Sequence, residues 1–366
     1  MARLKKTQKL LVAIDFGTSG IKAIGSIYDA KEHRHTIFLS PEIIEINESI
    51  AKTVEYAAPD GIDRLWVRVE TKYFAIGRMA RELMATTLVA QAKSRFICEK
   101  TAAVVWAIAK HFDLPSNVHL DLICLMPPGE LREREILQGL VKKVLGDFEA
   151  PDGCYSVTVD RAQYLPEGIG IYERFKGWYG ASVKDIEIGV LMMGHRNTSF
   201  FTAHNHQLGT LRSSEIGFSR IVQSLGLPIT DRLTEGTAKW LAEHDDRILA
   251  QILTSRGVVS HHDNLSSLKQ TIDNARQIQV MAILQWLSEI ISASRIGIVL
   301  IAGGAADSFK TELVEYFDEV LPDLPHSNTK EAGIFFHGGK NEVCKGAKET
   351  QNRFMDVLGV WQYLAK

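Results

Sequence analysis

The feature that most constrains the fold is a pattern that occurs twice: an apolar strand, a glycine-containing turn and a return strand. The first copy spans 10–23 and the second spans 186–201. In each copy a short apolar run bounded by turn residues indicates a strand that is covered on both faces. Elsewhere, strand patterns alternate with helical patterns, which is typical of an α/β fold. The chain therefore predicts two related α/β halves.

The first turn carries the residue types of an anion-binding site. Gly17 and Gly20 allow the backbone to come close to an anion because they have no side chain. Thr18 and Ser19 add hydroxyl donors, and Lys22 adds a positive charge on the return strand. We interpret these residues as the binding site for a nucleotide phosphate. The alternative is an ordinary glycine-containing hairpin.

Asp15 directly precedes this turn. A carboxylate this close to a phosphate would repel it, whereas a magnesium ion or its water shell between the two groups removes the conflict. We therefore expect Asp15 to hold a magnesium ion through water.

The second turn has different chemistry. It contains Gly194, His195, Arg196, Asn197 and Thr198, and no acid. These side chains are suited to binding a terminal phosphate directly, because arginine and similar donors neutralise phosphate charge in other phosphoryl-transfer sites. The alternative is a solvent-facing turn.

A third glycine turn follows a buried strand late in the chain. Gly303, Gly304 and Ala305 come directly after the apolar run 297–302. Residues with little or no side chain allow a flat base and its sugar to lie against the backbone. We interpret this turn as a place where a base and its sugar can bind, although a Gly-Gly turn in isolation carries little information.

Composition limits the classes of protein. A chain of 366 residues is long enough for two domains, and its net charge of −2 gives no general attraction to DNA or to acidic membranes. The four cysteines show neither zinc nor redox spacing, which is typical of reduced thiols in a cytosolic protein. No apolar span reaches the length of a membrane helix. We therefore expect a cytoplasmic protein that contacts neither DNA nor membrane directly.

Local patterns give further expectations for secondary structure. We expect a polar turn at 29–35, a loop rather than a metal site at 261–263, and a helix from Pro127 onward. Its inner face would contain Leu137, Leu140, Val141, Val144 and Leu145. A long helix is predicted over 267–294, with a core-facing stripe that includes Leu268, Ile272, Ala275, Ile278, Ala282, Trp286 and Ile290.

The segment from Asp15 to Lys22 resembles the first phosphate motif of the actin, sugar-kinase and heat-shock chaperone superfamily, and is most similar to plasmid-segregation actins of the ParM/StbA type. The resemblance implies a two-domain actin-like, duplicated ribonuclease-H-like ATPase fold with a central nucleotide cleft. The first domain would be 1–180, with a helix-rich insertion at about 40–110. The second would be 181–338, and a C-terminal helix in 339–366 would return to the first domain.

The same resemblance implies a function. A nucleotide-dependent filament-forming ATPase for plasmid segregation would bind ATP or ADP, with GTP as the alternative, together with Mg²⁺. Its partners would be copies of itself and a DNA-binding adaptor protein. By resemblance Glu167 positions the attacking water, a task for which a carboxylate is suited. The alternative for Glu167 is a solvated turn residue.

The chain departs from the family at Met192, where the family usually has an acid. A thioether carries no charge and prefers soft metals, so it cannot replace a carboxylate that holds metal-bound water. The alternative is that Met192 is simply a core residue. Two other functions therefore stay open: a nucleotide-binding scaffold with slow or no hydrolysis, and a small-molecule kinase of the same superfamily.

Overall fold

A computed structural model describes residues 8–55, 64–83, 85, 92–205, 207–226, 231–254, 262–291, 296–321, 333–336 and 351–366. The chain divides into two compact units. The first unit comprises Met1–Glu173 and Glu342–Lys366, and the second comprises Arg174–Asn341. No helix among the described residues is both long enough and apolar enough to cross a membrane.

The first unit contains two sheets and several helices. Its strands are β1 (Lys9–Gly17), β2 (Gly20–Ile27), β3 (Ala30–Leu39), β4 (Ile43–Ile46), β5 (Leu65–Val69), β6 (Lys72–Ile76), β7 (His119–Met126), β8 (Phe148–Ala150), β9 (Gly153–Tyr155) and β10 (Thr158–Pro166). Its helices are α1 (Glu48–Glu55), α2 (Arg78–Glu82), α3 (Ile97–His111), α4 (Arg134–Gly146), the start of α5 (Ile169–Tyr179) and α11 (Gln351–Leu364).

The second unit contains one sheet and further helices. Its strands are β11 (Glu187–Met193), β12 (Thr198–His204), β13 (Gln207–Ser214), β14 (Ile296–Ala302) and β15 (Ile334–Phe336). Its helices are α6 (Ser219–Gln223), α7 (Asp231–Glu243), α8 (Asp246–Thr254), α9 (His262–Ile291) and α10 (Lys310–Val320).

The main sheets of the two units have the same topology. The strand order is β10-β7-β1-β2-β3 in the first unit, and read in the same direction it is β15-β14-β11-β12-β13 in the second. In both, the first three strands in sequence pair antiparallel, and the next strand joins the hairpin in parallel. The duplication predicted from the two hairpin patterns is therefore present in the sheets.

Burial explains why the first strand of each sheet is apolar. Leu10 to Ile14 in β1 are fully buried, and in β11 Val190 and Leu191 are fully buried as well. Both strands lie inside their sheets with a parallel neighbour on one side. A strand in that position is covered on both faces, so it has no solvent side on which alternating polar residues would be tolerated.

Helix α11 packs against the main sheet of the first unit and crosses α5 at two glycines. A side chain at Gly170 would lie 1.8 Å from the carbonyl oxygen of Asp356, and one at Gly359 would lie 2.0 Å from the carbonyl oxygen of Gly170. Only glycine fits at such a crossing, since any Cβ would overlap backbone atoms. This close packing places the buried Asp356 next to the start of α5.

Several local expectations differ from the structure. The polar turn predicted at 29–35 is shorter than expected: the turn lies at Tyr28–Asp29, and 30–35 already belong to strand β3. β3 is the edge strand of its sheet, and an edge strand tolerates polar side chains on its solvent face. The region predicted as a helix-rich insertion contains β4, β5 and β6 as well as helices.

Two helix predictions are corrected in detail. The chain after Pro127 forms a 3-10 helix (Pro128–Glu133) before α4, and Leu140 on α4 is 47% exposed. On α9, Ile278 is 64% exposed although Ile272 is fully buried. At 3.6 residues per turn Ile278 lies about 240° around the helix from Ile272, which takes it off the buried face. Helix α9 also begins at His262, so the expected loop there is wrong for His262 and Asp263, while His261 lies outside the described residues.

Candidate functional site

The first glycine turn is a tight hairpin. Gly17 pairs with Gly20 at the end of the β1–β2 ladder, which leaves Thr18 and Ser19 as the turn residues. A Cβ at Gly17 would lie 2.6 Å from the carbonyl oxygen of Gly20 and 2.7 Å from Nζ of Lys22. At Gly20 φ is +148°, and a Cβ there would lie 2.2 Å from the ring of Phe38. Both positions therefore require glycine, which keeps the turn backbone uncovered by side chains of its own.

A buried ion cluster lies at the base of this turn. Asp15 and Lys22 are opposite each other in the ladder, and Nζ of Lys22 lies 2.6 Å from Oδ2 of Asp15. The other oxygen of Asp15 accepts a hydrogen bond from Nζ of Lys93 at 3.0 Å. Lys93 also donates to Oε1 of Glu167. Two lysines thus link two carboxylates in a continuous chain of charge-assisted hydrogen bonds.

The fold explains why these groups meet. Strands β1, β7 and β10 run parallel, so their carboxyl ends lie at one edge of the sheet. Asp15 lies near the end of β1, and Glu167 directly follows β10, with its backbone N–H donating to the carbonyl of Met126 at the end of β7. The carboxyl edge of parallel strands is where α/β folds usually bind ligands.

Lys93 reaches this edge from the segment that precedes α3. The backbone N–H of Ser94 donates to a carboxylate oxygen of Glu130 at 2.9 Å, which fixes this segment to the 3-10 helix after β7. The N–H of Lys100, in the first turn of α3, donates to the carbonyl of Phe96 at 3.0 Å. The chain is therefore anchored directly on the C-terminal side of Lys93.

The charges in the cluster support one another. Burial alone would raise the pKa of Asp15, but Lys22 and Lys93 lower it to about 2. Burial alone would lower the pKa of Lys93, but Asp15 and Glu167 raise it above its usual range. At neutral pH Asp15 is therefore ionised and Lys93 carries its positive charge.

A third carboxylate, Asp356 on α11, lies behind this cluster. Its two oxygens accept hydrogen bonds from the backbone N–H groups of Gly168 at 2.6 Å and Gly170 at 2.8 Å. These are unpaired donors at the start of α5, so Asp356 caps that helix from another segment of the chain. Burial and the neighbouring Asp15 and Glu167 raise the pKa of Asp356 to about 7, against the lowering effect of the two hydrogen bonds.

The second glycine turn is closed by backbone hydrogen bonds. The N–H of Gly194 donates to the carbonyl of Asn197 at 2.8 Å, and the N–H of Ser219 donates to the carbonyl of His195 at 2.8 Å. A Cβ at Gly217 would lie 2.2 Å from the carbonyl carbon of Arg196. The segment that enters α6 therefore packs directly on this turn, and it does so because residue 217 is glycine.

The side chains of the second turn bring the positive charge of Arg196 and no carboxylate. Arg196 donates to Oδ1 of its neighbour Asn197, and the hydroxyl of Thr198 donates to the carbonyl of Ile216. Met192 is half-buried at the end of β11, between Ser199 and Ala302 in the sheet. The structure thus leaves Met192 at the rim of the sheet rather than deep in the core.

The third glycine turn lies beside the second. Gly303 has φ of +104°, and a Cβ there would lie 2.3 Å from the carbonyl oxygen of Met193. The N–H of Ala305 donates to the same carbonyl at 3.1 Å, while Gly304 is exposed. The predicted adenosine turn and the predicted second phosphate turn therefore form one contiguous backbone surface in the second unit.

The structure brings the predicted residues together within each unit. In the first unit Asp15, Lys22 and Glu167 join the turn of 17–20, and in the second unit the turns of 194–198 and 303–305 adjoin. Sequence reasoning missed Lys93 and Asp356. Asp356 had a signal, since it is an acid inside the apolar run of α11, whereas Lys93 has no pattern around it that separates it from a surface lysine.

The donor set is compatible with a divalent cation. Asp15 and Glu167 supply the carboxylate oxygens that Mg²⁺ prefers. Among the described residues no three His, Cys, Asp or Glu side chains are grouped as a metal centre. Binding by one or two carboxylates together with water and phosphate fits this arrangement, whereas an all-protein metal cage does not.

The chain is similar to known proteins in structure but not detectably in sequence. No protein-family model matches the chain, and no curated protein matches it. Solved structures do match over nearly the whole length. A ParM from Clostridium botulinum, described as a 15-stranded filament, is 14% identical, with a TM-score of 0.61, over 97% of this chain and 99% of that chain.

Two further solved structures agree. An archaeal actin homologue is 13% identical, with a TM-score of 0.62, over 97% of this chain and 98% of that chain, and it is also known in complex with ADP. The AlfA filament bound to AMPPNP is 10% identical, with a TM-score of 0.52, over 97% of this chain and 96% of that chain. At these identities the likeness concerns the fold. Together with the duplicated sheets, it shows that this chain has the actin-like fold of the ParM-type bacterial filament proteins.

Proposed function

We propose that the protein is a nucleotide-dependent, actin-like, filament-forming ATPase. The observation that carries the proposal is the cluster of Asp15, Lys22 and Glu167 at the glycine turn of the first unit. Burial of charged groups is costly even when they are paired, and such groups cluster at functional sites; these lie at the strand edge where α/β folds bind ligands. Solved structures of the same fold contain ADP or AMPPNP, and this supports a nucleotide as the ligand.

In this proposal the first turn binds phosphate. The backbone N–H groups of 17–20 and the hydroxyls of Thr18 and Ser19 donate to phosphate oxygens. Lys22 supplies the positive charge at the base of the turn, where its ammonium is already held by Asp15. Mg²⁺, when bound, would neutralise phosphate charge, with Asp15 holding it through water.

Glu167 is proposed to position the attacking water. Its carboxylate accepts a hydrogen bond from the water, and the water oxygen forms a bond to the terminal phosphorus while the bond to the departing diphosphate oxygen breaks. The water proton passes to solvent or phosphate by way of the carboxylate. Glu167 is 9% exposed, which limits the number of competing waters near it.

The second unit is proposed to bind the rest of the nucleotide. Gly194, His195, Arg196, Asn197 and Thr198 donate to phosphate oxygens, and the backbone of Gly303, Gly304 and Ala305 lies along the adenosine. The contiguous surface of these two turns supports this assignment. ATP and ADP are the expected nucleotides, and GTP is the alternative.

Self-association into filaments is proposed from the structures that share the fold. The ParM of Clostridium botulinum, AlfA and Alp12 are each described as filaments. We further propose a cytoplasmic role in plasmid segregation, with an adaptor protein that binds DNA. The net charge of −2 supports an adaptor, since the chain itself has no general attraction to DNA.

One observation favours a second function. Met192 lies half-buried at the rim of the second sheet, and no acid occupies 192–198. If hydrolysis needs the acid that the resembled family usually has at the position of Met192, the protein is a nucleotide-binding scaffold whose filaments persist. A small-molecule kinase has no comparable support, and the absence of phosphotransfer to any acceptor besides water would remove it.

Electron microscopy of the purified protein, with and without ATP, tests the filament proposal. We expect polymers with ATP and their loss as phosphate is released, and absence of polymers across nucleotide and salt conditions would contradict it. Glu167→Gln is the informative variant, because it keeps the side-chain size and removes the carboxylate. It should form ATP filaments that persist, with phosphate release lowered about 100-fold. Rapid release by this variant would contradict the role of Glu167.

A further inference from the structure

The strongest unexplained feature of the first unit is the position of Lys93. Its side chain is 8% exposed, and its ammonium contacts Asp15 at 3.0 Å and Glu167. A buried lysine normally loses much of its solvation free energy, so it persists only where carboxylates compensate for that loss. Here the compensating carboxylates are the two that the proposed function requires.

The cluster is balanced in charge without any bound ion. Asp15 and Glu167 contribute two negative charges, and Lys22 and Lys93 contribute two positive charges. The nearby Asp356 is held separately by the N–H groups of Gly168 and Gly170. A divalent cation that approached the nucleotide-free site would therefore meet carboxylates whose charge is already neutralised.

The ammonium of Lys93 is held by the carboxylates of Asp15 and Glu167, and the chain that follows this residue is anchored by a backbone contact. Ser94 donates to Glu130, and helix α3 begins at Ile97, so only a short segment separates Lys93 from a rigid element. Lys93 is therefore anchored close to the cluster from its C-terminal side. Its side chain bridges Asp15 and Glu167, whereas Lys22 contacts Asp15.

We propose that Lys93 is an internal cation that competes with divalent metal for Asp15 and Glu167, so that metal enters the site only together with nucleotide phosphates. The proposal rests on the proposed function for the identity of the ligand. Nucleotide phosphates bring the negative charge that a divalent cation needs, and their oxygens offer Lys93 an alternative partner.

The test uses the nucleotide-free protein and Mn²⁺ alone as the probe. Free Mn²⁺ is measured by its electron paramagnetic resonance signal during titration. We expect Lys93→Met to bind Mn²⁺ about 100-fold more tightly than the wild-type protein, because the change removes the lysine that pairs with Glu167 and leaves Asp15 with Lys22 alone, so the cluster becomes net negative. Adding Asp15→Asn to Lys93→Met should abolish this gain.

Two further variants make the test specific. Lys143→Met is the matched control, since it removes an ammonium from the exposed pair with Glu70 at 2.8 Å and should gain no site. Lys93→Gln keeps a hydrogen-bond donor for Glu167 and removes the charge. It should bind Mn²⁺ as Lys93→Met does, and it serves if the methionine variant does not fold.

A folded Lys93 variant that binds Mn²⁺ no better than the wild type would overturn the proposal. So would a wild-type protein that binds Mn²⁺ alone at a site removed by Asp15→Asn, a result that needs no change at Lys93. Because no nucleotide is present, these results are independent of whether the protein binds or hydrolyses ATP. Failure of the proposed function would instead appear as the absence of nucleotide binding, polymers and phosphate release.

Discussion

The two glycine turns share a backbone plan but differ in chemistry. Each joins an interior strand to its antiparallel partner beside a parallel strand, in sheets of the same order. The first turn lies over a buried cluster of Asp15, Lys22, Lys93 and Glu167. The second turn follows a strand that contains Met192. Backbone hydrogen bonds and the close packing of Gly217 hold this turn in place.

The comparison indicates a division of labour. Both turns need glycine, because the backbone must approach a neighbour or a ligand closely, so duplication preserves the shape. Charge is not preserved: among the described residues the first turn lies over paired carboxylates and lysines, whereas the second turn, 194–198, carries Arg196 and no acid. In the proposed function the first unit therefore carries the reaction chemistry, and the second supplies binding surface.

The largest effect is expected from Asp15→Ala. This change removes the carboxylate that orients Lys22 and Lys93 and that is proposed to hold metal through water. We expect nucleotide turnover to fall by about 1,000-fold, as when a preorganised charged group is lost from a phosphoryl-transfer site. Single-turnover phosphate release measures the effect.

Asp160→Ala is the matched control for this prediction. Asp160 lies on β10 of the same sheet and is paired with Lys9 at 3.1 Å, but it is partly exposed and near the opposite end of the strand. Its loss should leave phosphate release within about twofold of the wild type, as for most surface changes. Equal effects of the two changes, or unchanged turnover in Asp15→Ala, would show that the chemistry does not reside in the first cluster.

The sequence predicted the two strand-turn-strand hairpins because local residue patterns are enough to indicate them. The apolar runs of β1 and β11, followed by glycine turns, indicate buried strands and hairpins without any long-range information. Two copies in one chain then predict duplication. The extent of β3 and the burial of Ile278 on α9 were predicted wrongly. For β3 the cause is its position at the edge of the sheet, and for Ile278 it is the position of the residue around the helix.

The charge cluster was only half predictable. Asp15 and Lys22 flank a glycine turn, and Glu167 was selected through the family resemblance, so these three were candidates before the structure placed them together. Lys93 comes from the segment before α3 and Asp356 from α11 near the end of the chain. Lys93 and Asp356 reach the site through tertiary packing between distant segments. The spacing of residues along the sequence does not predict such contacts.

A second effect is expected from Asp356→Asn. In the folded protein the pKa of Asp356 is raised to about 7 from an ordinary value of 3.8, so the folded state binds this proton more tightly than the unfolded state. The contribution of Asp356 to stability is therefore fully present below about pH 4 and is lost as pH rises through about 7. We expect the wild-type free energy of unfolding, minus that of the variant, to fall by about 2–4 kcal/mol across this range.

Chemical denaturation at several pH values measures this difference. Other acids titrate in the same range, and subtraction of the variant curve removes their contribution. Asp318→Asn, on the exposed face of α10, is the control for the loss of a carboxylate outside the buried core. A difference for Asp356→Asn that stays constant, or that rises with pH, would contradict the assigned role of this buried carboxyl group.

The smallest effect is expected from Met192→Asp, which is also the most direct test of the difference between the two glycine turns. The change places at the second turn the acid that the first turn already has at Asp15, on a half-buried position at the sheet rim that can accept it. If lack of this acid limits hydrolysis, magnesium-dependent phosphate release in a single turnover should rise about tenfold, the size of one moderately effective charged group. Met192→Asn, which has the same shape without the charge, should leave the rate unchanged. Release that is already fast in the wild type, and equal in both variants, would remove the scaffold alternative and show that the charged cluster of the first unit is sufficient.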